Sequence, residues 1–380
     1  MRILIAPNAF KNSLAADAVA EAISTGLQQS QLDCSTLCFP VGDGGDGTAA
    51  LLTKHFGGMS VPVTVHDPLG RKIITSFGLT DNKTTAVIEL ADASGLRLLK
   101  PEEYDPLLTT SFGTGELIKH ALDRGVKKII LGIGGSATVD GGVGILQALG
   151  VKFYDSDQNE LGQVPASLIN LHAIDVTGMD TRFTQTEIIE LCDVANPLLG
   201  AAGAATVFGP QKGASEKQVE QLEQTLTRFR DVLLARTGKD MTSLKHGGAS
   251  GGVAAGLHTF LQAKLVNGIE YFLDITGFDA ALENSDLVIT GEGSIDRQTL
   301  QGKAPFGVAR RAKQKARPVI GLAGKVPLQA DEALQEFFDV LLPISHEAMD
   351  LHTALNHTYD NLVRSGKLLG DLLRFQAVKY

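Results

Sequence analysis

The sequence predicts an α/β protein with two domains, a doubly wound parallel sheet and a second domain built on a mixed sheet. Short apolar segments alternate with amphipathic segments, and many of the 42 glycines directly follow the apolar segments. This alternation is typical of parallel strands that helices cover on both faces. The length of 380 residues favours two domains, because a single core rarely grows beyond roughly 250 to 300 residues.

The two ends of the chain carry the pattern of the doubly wound domain. Residues 3–6 predict a first strand, residues 15–28 a helix with Ser13 as its N-cap, and residues 37–41 a second strand. The C-terminal part adds three apolar strands, at 287–290, 319–322 and 340–344, and a helix at 304–315. We therefore expect residues 1–60 and 285–380 to form one discontinuous domain.

Residues 61–284 predict an inserted domain of mixed α/β type. Its first three strands are predicted at 61–65, 72–79 and 85–90. Short polar turns connect them, which favours antiparallel pairing. The elements expected after them are a helix at 114–123, strands at 128–131, 151–154 and 187–192, and a long polar helix at 215–236.

The composition excludes several classes of partner. The net charge of -9 leaves no basic surface for nucleic acid or for an anionic membrane. No apolar run approaches the roughly 18 residues of a membrane span. Three cysteines, Cys34, Cys38 and Cys192, do not suggest a disulfide framework. We expect a cytoplasmic protein that binds small molecules, and the sequence leaves open whether it forms a homo-oligomer.

Polar residues that suit catalysis share one position, directly after predicted strands. They are Lys11, Ser13, Asp43, Asp46, Glu292, Asp296 and Lys325. In an open parallel sheet, residues after the strands gather at the carboxyl edge, where such folds bind ligands. We expect the active site at this edge, in a cleft between the two domains.

The segment Asp43-Gly-Gly-Asp-Gly-Thr48 is the most informative single motif. Carboxylates in a glycine-rich turn suit a divalent cation, and glycine lets backbone N–H groups approach phosphate. Further glycine-rich or polar loops provide additional candidate donors. They contribute Gly134, Gly135 and Ser136 after one strand, Asp193 and Asn196 after another, and Lys212, Gly248 and Ser250 from later turns.

This mixture of cations and carboxylates is what phosphoryl transfer requires. Cations neutralise phosphate oxygens, carboxylates hold magnesium, and one further group orients the attacking hydroxyl. The chain has no Walker motif Gly-x-x-x-x-Gly-Lys-Ser/Thr and no protein-kinase catalytic loop. A nucleotide would therefore be held in another way.

Two other functions compete with the kinase interpretation. Gly132-x-Gly134-x-x-Ala137 partly matches a dinucleotide fingerprint and would suit an NAD-dependent dehydrogenase of a small hydroxy acid, although Asp140-Gly-Gly142 would interrupt the required helix. A non-enzymatic two-domain protein that binds a small anion is the second alternative. The histidines show no metal-ligand spacing, and we interpret all nine as solvated or core residues.

Seven segments, in this order, resemble bacterial glycerate kinases of the type I family. They begin at Ala6, Gly42, Thr109, Gly132, Cys192, Phe208 and Ile289, and read APNAFKNSL, GDGGDGT, TTSFGTGE, GIGGSATVDGG, CDVANP, FGPQKG and ITGEGSID. The resemblance extends from Met1 to about Val326. Two positions depart from the family pattern, since Asn8-Ala9 replaces Asp-Ser and Val139 replaces Asn. Asn8 keeps its hydrogen-bonding capacity but lacks the charge.

The resemblance implies ATP-dependent phosphorylation of D-glycerate with Mg²⁺, in a protein with a flavodoxin-like domain and a discontinuous partner domain. The most similar enzymes yield 2-phosphoglycerate in the breakdown of glyoxylate, glucarate and galactarate. Assigned by charge, Asp193 is the expected acceptor of the substrate hydroxyl proton, and Lys11 is the second catalytic candidate. Lys11, Lys212 and Lys303 are candidates for phosphate or the substrate carboxylate. The metal candidates are Asp43, Asp46, Glu292 and Asp296.

Overall fold

The fold is described from a computed structural model that covers residues 1–162, 165–329 and 331–377. The strands are β1 (Arg2–Ile5), β2 (Ser35–Cys38), β3 (Met59–His66), β4 (Lys72–Thr80), β5 (Thr85–Glu89), β6 (Lys128–Gly132), β7 (Lys152–Tyr154), β8 (Ala173–Asp175), β9 (Glu187–Cys192), β10 (Lys264–Asn267), β11 (Leu287–Ser294), β12 (Val319–Lys325) and β13 (Val340–Pro343).

Helices separate most of these strands. They are α1 (Ala16–Gln29), α2 (Thr48–His55), α3 (Ala91–Ser94), α4 (Phe112–Leu122), α5 (Val143–Ala148), α6 (Ala204–Phe208), α7 (Glu216–Thr237), α8 (Val253–Leu261), α9 (Gly268–Thr276), α10 (Phe278–Glu283), α11 (Ala304–Gln314), α12 (Glu332–Gln335), α13 (Leu351–Asn356) and α14 (Thr358–Ala377). Within the described ranges, none of them combines the length and the apolar character needed to cross a membrane.

The chain divides into two compact units. The first unit contains Met1–Asp43 and Ile269–Tyr380, and the second contains Gly44–Gly268. The sequence placed the corresponding boundaries at residues 60/61 and 284/285. Residues 44–60 fall in the second unit because α2 packs on β3, β4 and β5. The helices α9 and α10 fall in the first unit, where Glu270 and Asp279 bond to Arg311 of α11.

The first unit is built on a wholly parallel sheet with the strand order β13-β12-β11-β1-β2. The helices α1 and α14 pack closely, and Gly26 explains how. A Cβ atom at Gly26 would lie 2.1 Å from the carbonyl oxygen of Val363, so only glycine allows this approach. The parallel sheet with its flanking helices confirms the predicted doubly wound architecture.

The second unit is built on a mixed six-stranded sheet with the order β10-β9-β6-β5-β4-β3. The pairs β3/β4 and β4/β5 are antiparallel, as predicted, and the remaining pairs are parallel. The strand β7 does not join this sheet, since it pairs with β8 in a separate antiparallel hairpin. The largest apolar cluster of this unit includes Phe153 and Phe229, whose rings meet edge to face 6.4 Å apart.

One local prediction near the N-terminus is wrong. Ala15, not Ser13, occupies the N-cap position of α1, and no side chain caps this helix. The Oγ of Ser13 instead lies 2.6 Å from the carbonyl oxygen of Leu355 and 2.6 Å from the Oγ1 of Thr358. The hydroxyl thus ties the segment after β1 to the start of α14, a contact that no local pattern encodes.

Candidate active site

In the second unit, two candidate loops leave neighbouring strands at the same edge of the sheet. The strands β6 and β9 are parallel, and Gly132 lies opposite Leu191. The glycine loop, residues 133–142, follows β6, and the Asp193 loop, residues 193–197, follows β9. Because parallel strands end on the same side, the sheet brings these two predicted segments together.

The glycine loop lies against the loop that carries Asp46. The N–H of Gly134 donates to the carbonyl oxygen of Gly44 at 3.0 Å, and a Cβ atom at Gly134 would lie 2.7 Å from the Cα of Gly45. Gly135 is exposed with a φ of 74°. In the described part of the chain, no carbonyl accepts the N–H of Gly135 or of Ser136. These two N–H groups are therefore candidate donors to an anion.

Lys212 supports this loop from inside the protein. Its Nζ donates to the Oγ of Ser136 and to the carbonyl oxygen of Thr138, both at 2.7 Å, and the residue is only 3% exposed. Burial lowers the pKa of Lys212 to about 7, against the opposing effect of Asp140. A neutral amine has two N–H bonds for these two acceptors. The geometry makes Lys212 a brace of the loop.

Asp140 fixes the far end of the same loop. It is fully buried, and its carboxylate accepts from the N–H of Ser111 at 2.8 Å, the hydroxyl of Ser111 at 2.7 Å and the N–H of Gly142 at 3.0 Å. The helix α5 starts only after Gly142, which has a φ of 78°. The helix therefore begins too late for a dinucleotide fingerprint at Gly132, Gly134 and Ala137.

The Asp193 loop is held by its neighbours. Asp193 is partly exposed directly after β9, and the side-chain amide of Asn196 donates to the carbonyl oxygen of Ala202 at 2.9 Å. Cys192 is buried, and burial raises the pKa of its thiol to about 12. A thiol with so high a pKa does not supply a thiolate nucleophile near neutral pH. Of the polar side chains here, Asp193 is the candidate for chemistry.

A third segment, residues 246–252, joins these two loops. The N–H of Gly248 donates to the carbonyl oxygen of Asn196 at 2.9 Å, and the N–H of Gly141 donates to the carbonyl oxygen of Gly251 at 2.9 Å. The hydroxyl of Ser250 donates to the carbonyl oxygen of Ile133. Gly248 and Ser250, both predicted as ligand-binding residues, therefore lie beside the glycine and Asp193 loops.

Sequence reasoning missed His246 in this segment. Its Nδ1 lies 2.5 Å from the carbonyl oxygen of Val194, although the two residues are 52 positions apart. No sequence pattern could have linked them, because the contact depends on the return of the chain to the end of β9.

Asp46 has a different environment from the one expected for a metal ligand. The guanidinium of Arg97 contacts three carboxylates. Its Nη2 donates to Asp92, its Nη1 lies 3.2 Å from the Oδ1 of Asp46, and its Nη2 also lies 3.9 Å from the Oε2 of Glu89. Glu89 is buried and accepts from the N–H of Ala49 at 2.8 Å. Burial, and secondarily the charge of Asp92, raises the pKa of Glu89 to about 7. This ion-pair network surrounds Asp46 in the second unit.

In the first unit, three of the predicted carboxylates lie toward the carboxyl edge of the parallel sheet. Asp43 is buried, and its Oδ2 accepts from the amide of Asn8 at 3.0 Å and from the N–H of Ala304, the first residue of α11, at 3.3 Å. Glu292 lies within β11 and accepts from the hydroxyl of Thr299 at 3.0 Å. Asp296 accepts from the N–H of Gln298 at 2.8 Å in the turn before α11.

Two predicted cations of the first unit are available for a ligand. Lys11 is exposed after β1, and its backbone nitrogen lies 3.7 Å from the position of a Cβ atom at Gly293. Lys303 is the residue before α11. Neither ammonium group makes a hydrogen bond or ion pair with the part of the chain that the structure describes. Both are therefore candidates for binding a nucleotide phosphate.

The described residues do not form a preassembled metal cage. No group of three or more His, Cys, Asp or Glu side chains in residues 1–162, 165–329 and 331–377 is arranged to hold a cation. Mg²⁺ in nucleotide sites usually keeps several waters and takes only one or two protein carboxylates besides the phosphate oxygens. The buried Asp43 and Glu292 fit that smaller requirement, whereas Asp46 is paired with Arg97.

Comparison with known proteins gives a consistent result over nearly the whole chain. Residues 3–374 match the model of the glycerate kinase family. The chain is 44% identical to a glycerate kinase of Haemophilus influenzae, over 99% of this chain and 100% of that protein. It is 42% identical to a glycerate 2-kinase of Escherichia coli, over 97% of this chain and 96% of that protein. A crystal structure of a putative glycerate kinase 2 from Salmonella typhimurium superposes with a TM-score of 0.83, at 42% identity and 99% coverage of both chains.

Proposed function

The chain belongs to the glycerate kinase family and is a phosphotransferase that uses ATP to phosphorylate glycerate, and on this premise we propose that it transfers the phosphoryl group to carbon 2 of D-glycerate. The product would be 2-phosphoglycerate, formed in the breakdown of glyoxylate, glucarate or galactarate. The relative from Escherichia coli is named a glycerate 2-kinase, and this name supports carbon 2 over carbon 3.

Asp193 is proposed to orient the attacking hydroxyl and to accept its proton. The observation that carries this role is the position of Asp193 after β9, on the strand next to the one that leads into the glycine loop. A loose phosphoryl-transfer transition state needs little proton abstraction before the phosphorus–oxygen bond forms. Holding the hydroxyl in line is therefore the larger part of the proposed role.

The anionic groups of the substrates are proposed to bind to two kinds of donor. The N–H groups of Gly135 and Ser136 supply a backbone site for an oxyanion. Lys11 and Lys303 supply positive charge for the ATP phosphates or the glycerate carboxylate. Lys212 is proposed to act behind the loop, since its Nζ is buried and already donates to Ser136 and Thr138.

Magnesium is proposed to enter with the nucleotide. Asp43 and Glu292 are the carboxylates that would hold it, with Asp296 as a further candidate through water. Bound Mg²⁺ would supply charge neutralisation at the phosphate oxygens. The proposed use of ATP, together with three cysteines that are all free thiols, supports a cytoplasmic location.

The two alternative functions find no support in the comparisons. An NAD-dependent dehydrogenase would need a helix that starts at the glycine fingerprint, but α5 begins only at Val143. A non-enzymatic protein that binds a small anion does not account for relatives that are named kinases along the full length of the chain.

The proposal is tested by an assay of the purified protein with ATP, MgCl₂ and a panel of small hydroxy acids. We expect turnover with D-glycerate, loss of turnover after addition of EDTA, and recovery with excess Mg²⁺. The product is assigned by phosphorus–proton coupling in NMR, because a phosphate on carbon 2 couples to one proton and a phosphate on carbon 3 couples to two. A carbon 3 product would refute the proposed position but not the family activity.

A further inference from the structure

We propose that His246 is a positioning residue for Asp193, an inference that rests on the proposed function of Asp193. The Nδ1 of His246 lies 2.5 Å from the carbonyl oxygen of Val194, the residue directly after Asp193. A carbonyl oxygen only accepts, so Nδ1 carries the proton and the imidazole is the donor. The bond therefore anchors the peptide group between Val194 and Ala195, the second peptide group after Asp193.

The backbone of His246 has a positive φ. Its φ of 71° lies in the left-handed region, which favours glycine over other residues. Histidine at this position is partly buried and keeps the imidazole directed at Val194.

The same segment also contacts the glycine loop. Two residues after His246, the N–H of Gly248 donates to the carbonyl oxygen of Asn196, and the hydroxyl of Ser250 donates to the carbonyl oxygen of Ile133. Segment 246–252 thus holds the Asp193 loop at one end and the glycine loop at the other. His246 sets the position of the first of these contacts.

His246→Gly tests the proposal because it removes the imidazole and relieves the backbone at the same position. We expect kcat with glycerate to fall about ten- to a hundredfold, since a shift of about 1 Å in a reacting group has that effect, with little change in the KM for ATP. A kcat equal to that of the wild type would overturn the proposal.

His246→Asn is the conservative rescue. The amide nitrogen of Asn occupies the δ position, as Nδ1 does in His, and Asn also tolerates a positive φ. We expect most of the lost kcat to return. Equal activity of the Gly and Asn variants would show that the bond to Val194 is not what matters.

His258→Ala is the matched control in the same unit. The Nδ1 of His258 lies 2.9 Å from the carbonyl oxygen of Ala263, so this variant removes the same type of bond away from the Asp193 loop. We expect its kcat to stay within twofold of the wild type. A loss as large as that of His246→Gly would instead indicate a general effect of disturbing histidine contacts and would count against the proposal.

A double variant separates positioning from general destabilisation. If His246 acts through Asp193, then His246→Gly in an Asp193→Asn background should slow turnover by less than twofold further. A full ten- to hundredfold additional loss would mean that His246 acts independently of Asp193.

Hydrogen exchange provides a readout that does not depend on the substrate. In His246→Gly, the amide of Gly248 should lose protection, because its acceptor at Asn196 is no longer held, while the amides of β9 keep theirs. Unchanged protection of the Gly248 amide would overturn the positioning role of His246. This holds even if a group other than Asp193 accepts the substrate proton in the wild-type enzyme. Absence of glycerate turnover by the wild type would refute only the proposed function.

Discussion

Lys212 and Ser136 are 76 positions apart in the sequence, yet the Nζ of Lys212 donates to the Oγ of Ser136 at 2.7 Å. The same Nζ donates to the carbonyl oxygen of Thr138. The lysine therefore shapes the glycine loop from its buried side, while no carbonyl in the described part of the chain accepts the N–H groups of Gly135 and Ser136.

Replacement of Lys212 by Met should loosen this loop. We expect kcat/KM for glycerate to fall at least tenfold, because Ser136 and the Thr138 carbonyl lose a buried donor. Steady-state kinetics at fixed ATP measures this effect. The exposed Lys217 on α7 provides the control, and Lys217→Met should behave as the wild type. Normal activity of Lys212→Met would rule out the bracing role.

The pKa of Lys212 also predicts a pH dependence of stability. The folded protein holds this pKa near 7, below the ordinary value of 10.5, so between these values the unfolded chain binds more protons. The free energy of unfolding should therefore rise with pH from about 7 to 10.5, by up to about 1.4 kcal/mol per pH unit. Urea titrations of the wild type and Lys212→Met should differ in this slope, and parallel slopes would contradict the assignment.

Replacement of Asp193 by Asn should reduce kcat about a hundredfold or more and leave the fold intact. The amide keeps the size of the side chain but no longer accepts a proton. Stopped assays of phosphoglycerate formation measure the loss, and circular dichroism checks the fold. Asp157→Asn, in an exposed turn of the same unit, is the control. Retention of near-normal turnover by Asp193→Asn would show that another group orients the hydroxyl.

Glu89 predicts the opposite pH dependence. Its folded-state pKa of about 7 lies above the ordinary value of 4.5, so the folded state binds more protons between these values. The stabilising contribution is present below about pH 4.5 and is lost as the pH rises to about 7. Glu89→Gln should remove this dependence, whereas the exposed Glu220→Gln should keep it. Thermal unfolding from pH 5 to 8 compares the stability of the two variants with that of the wild type. The same pH dependence of stability in Glu89→Gln as in the wild type would refute the role assigned to Glu89.

Replacement of Phe229 by Ala should lower the free energy of unfolding by about 3 to 5 kcal/mol. The ring is fully buried, meets Phe153 edge to face and stacks on Phe260 at 6.3 Å. Phe375, which is 74% exposed on α14, is the control, and Phe375→Ala should stay within about 0.5 kcal/mol of the wild type. Chemical denaturation measures both, and similar values would contradict this view of the core.

The sheet types and most element positions followed from sequence, because periodicity and turn residues are local signals. The antiparallel strands β3 to β5 and the parallel strands β11 to β13 lie where apolar runs predicted them. The N-cap at Ser13 was wrong because a tertiary contact to α14 takes up its hydroxyl. The strands β8 and β10 were not predicted, although β7, which is equally short, was.

The candidate site shows the same division. By itself, the sequence determined which residue types stand after which strands, and ordered motifs such as GDGGDGT and GIGGSATVDGG indicated the family. Only the tertiary structure decided their surroundings: a buried Lys212 under the glycine loop, Asp46 paired with Arg97, and His246 bonded to the carbonyl oxygen of Val194. The physical reason is that burial and hydrogen bonding set the role of a charged group, and both depend on contacts between residues that are distant in the chain.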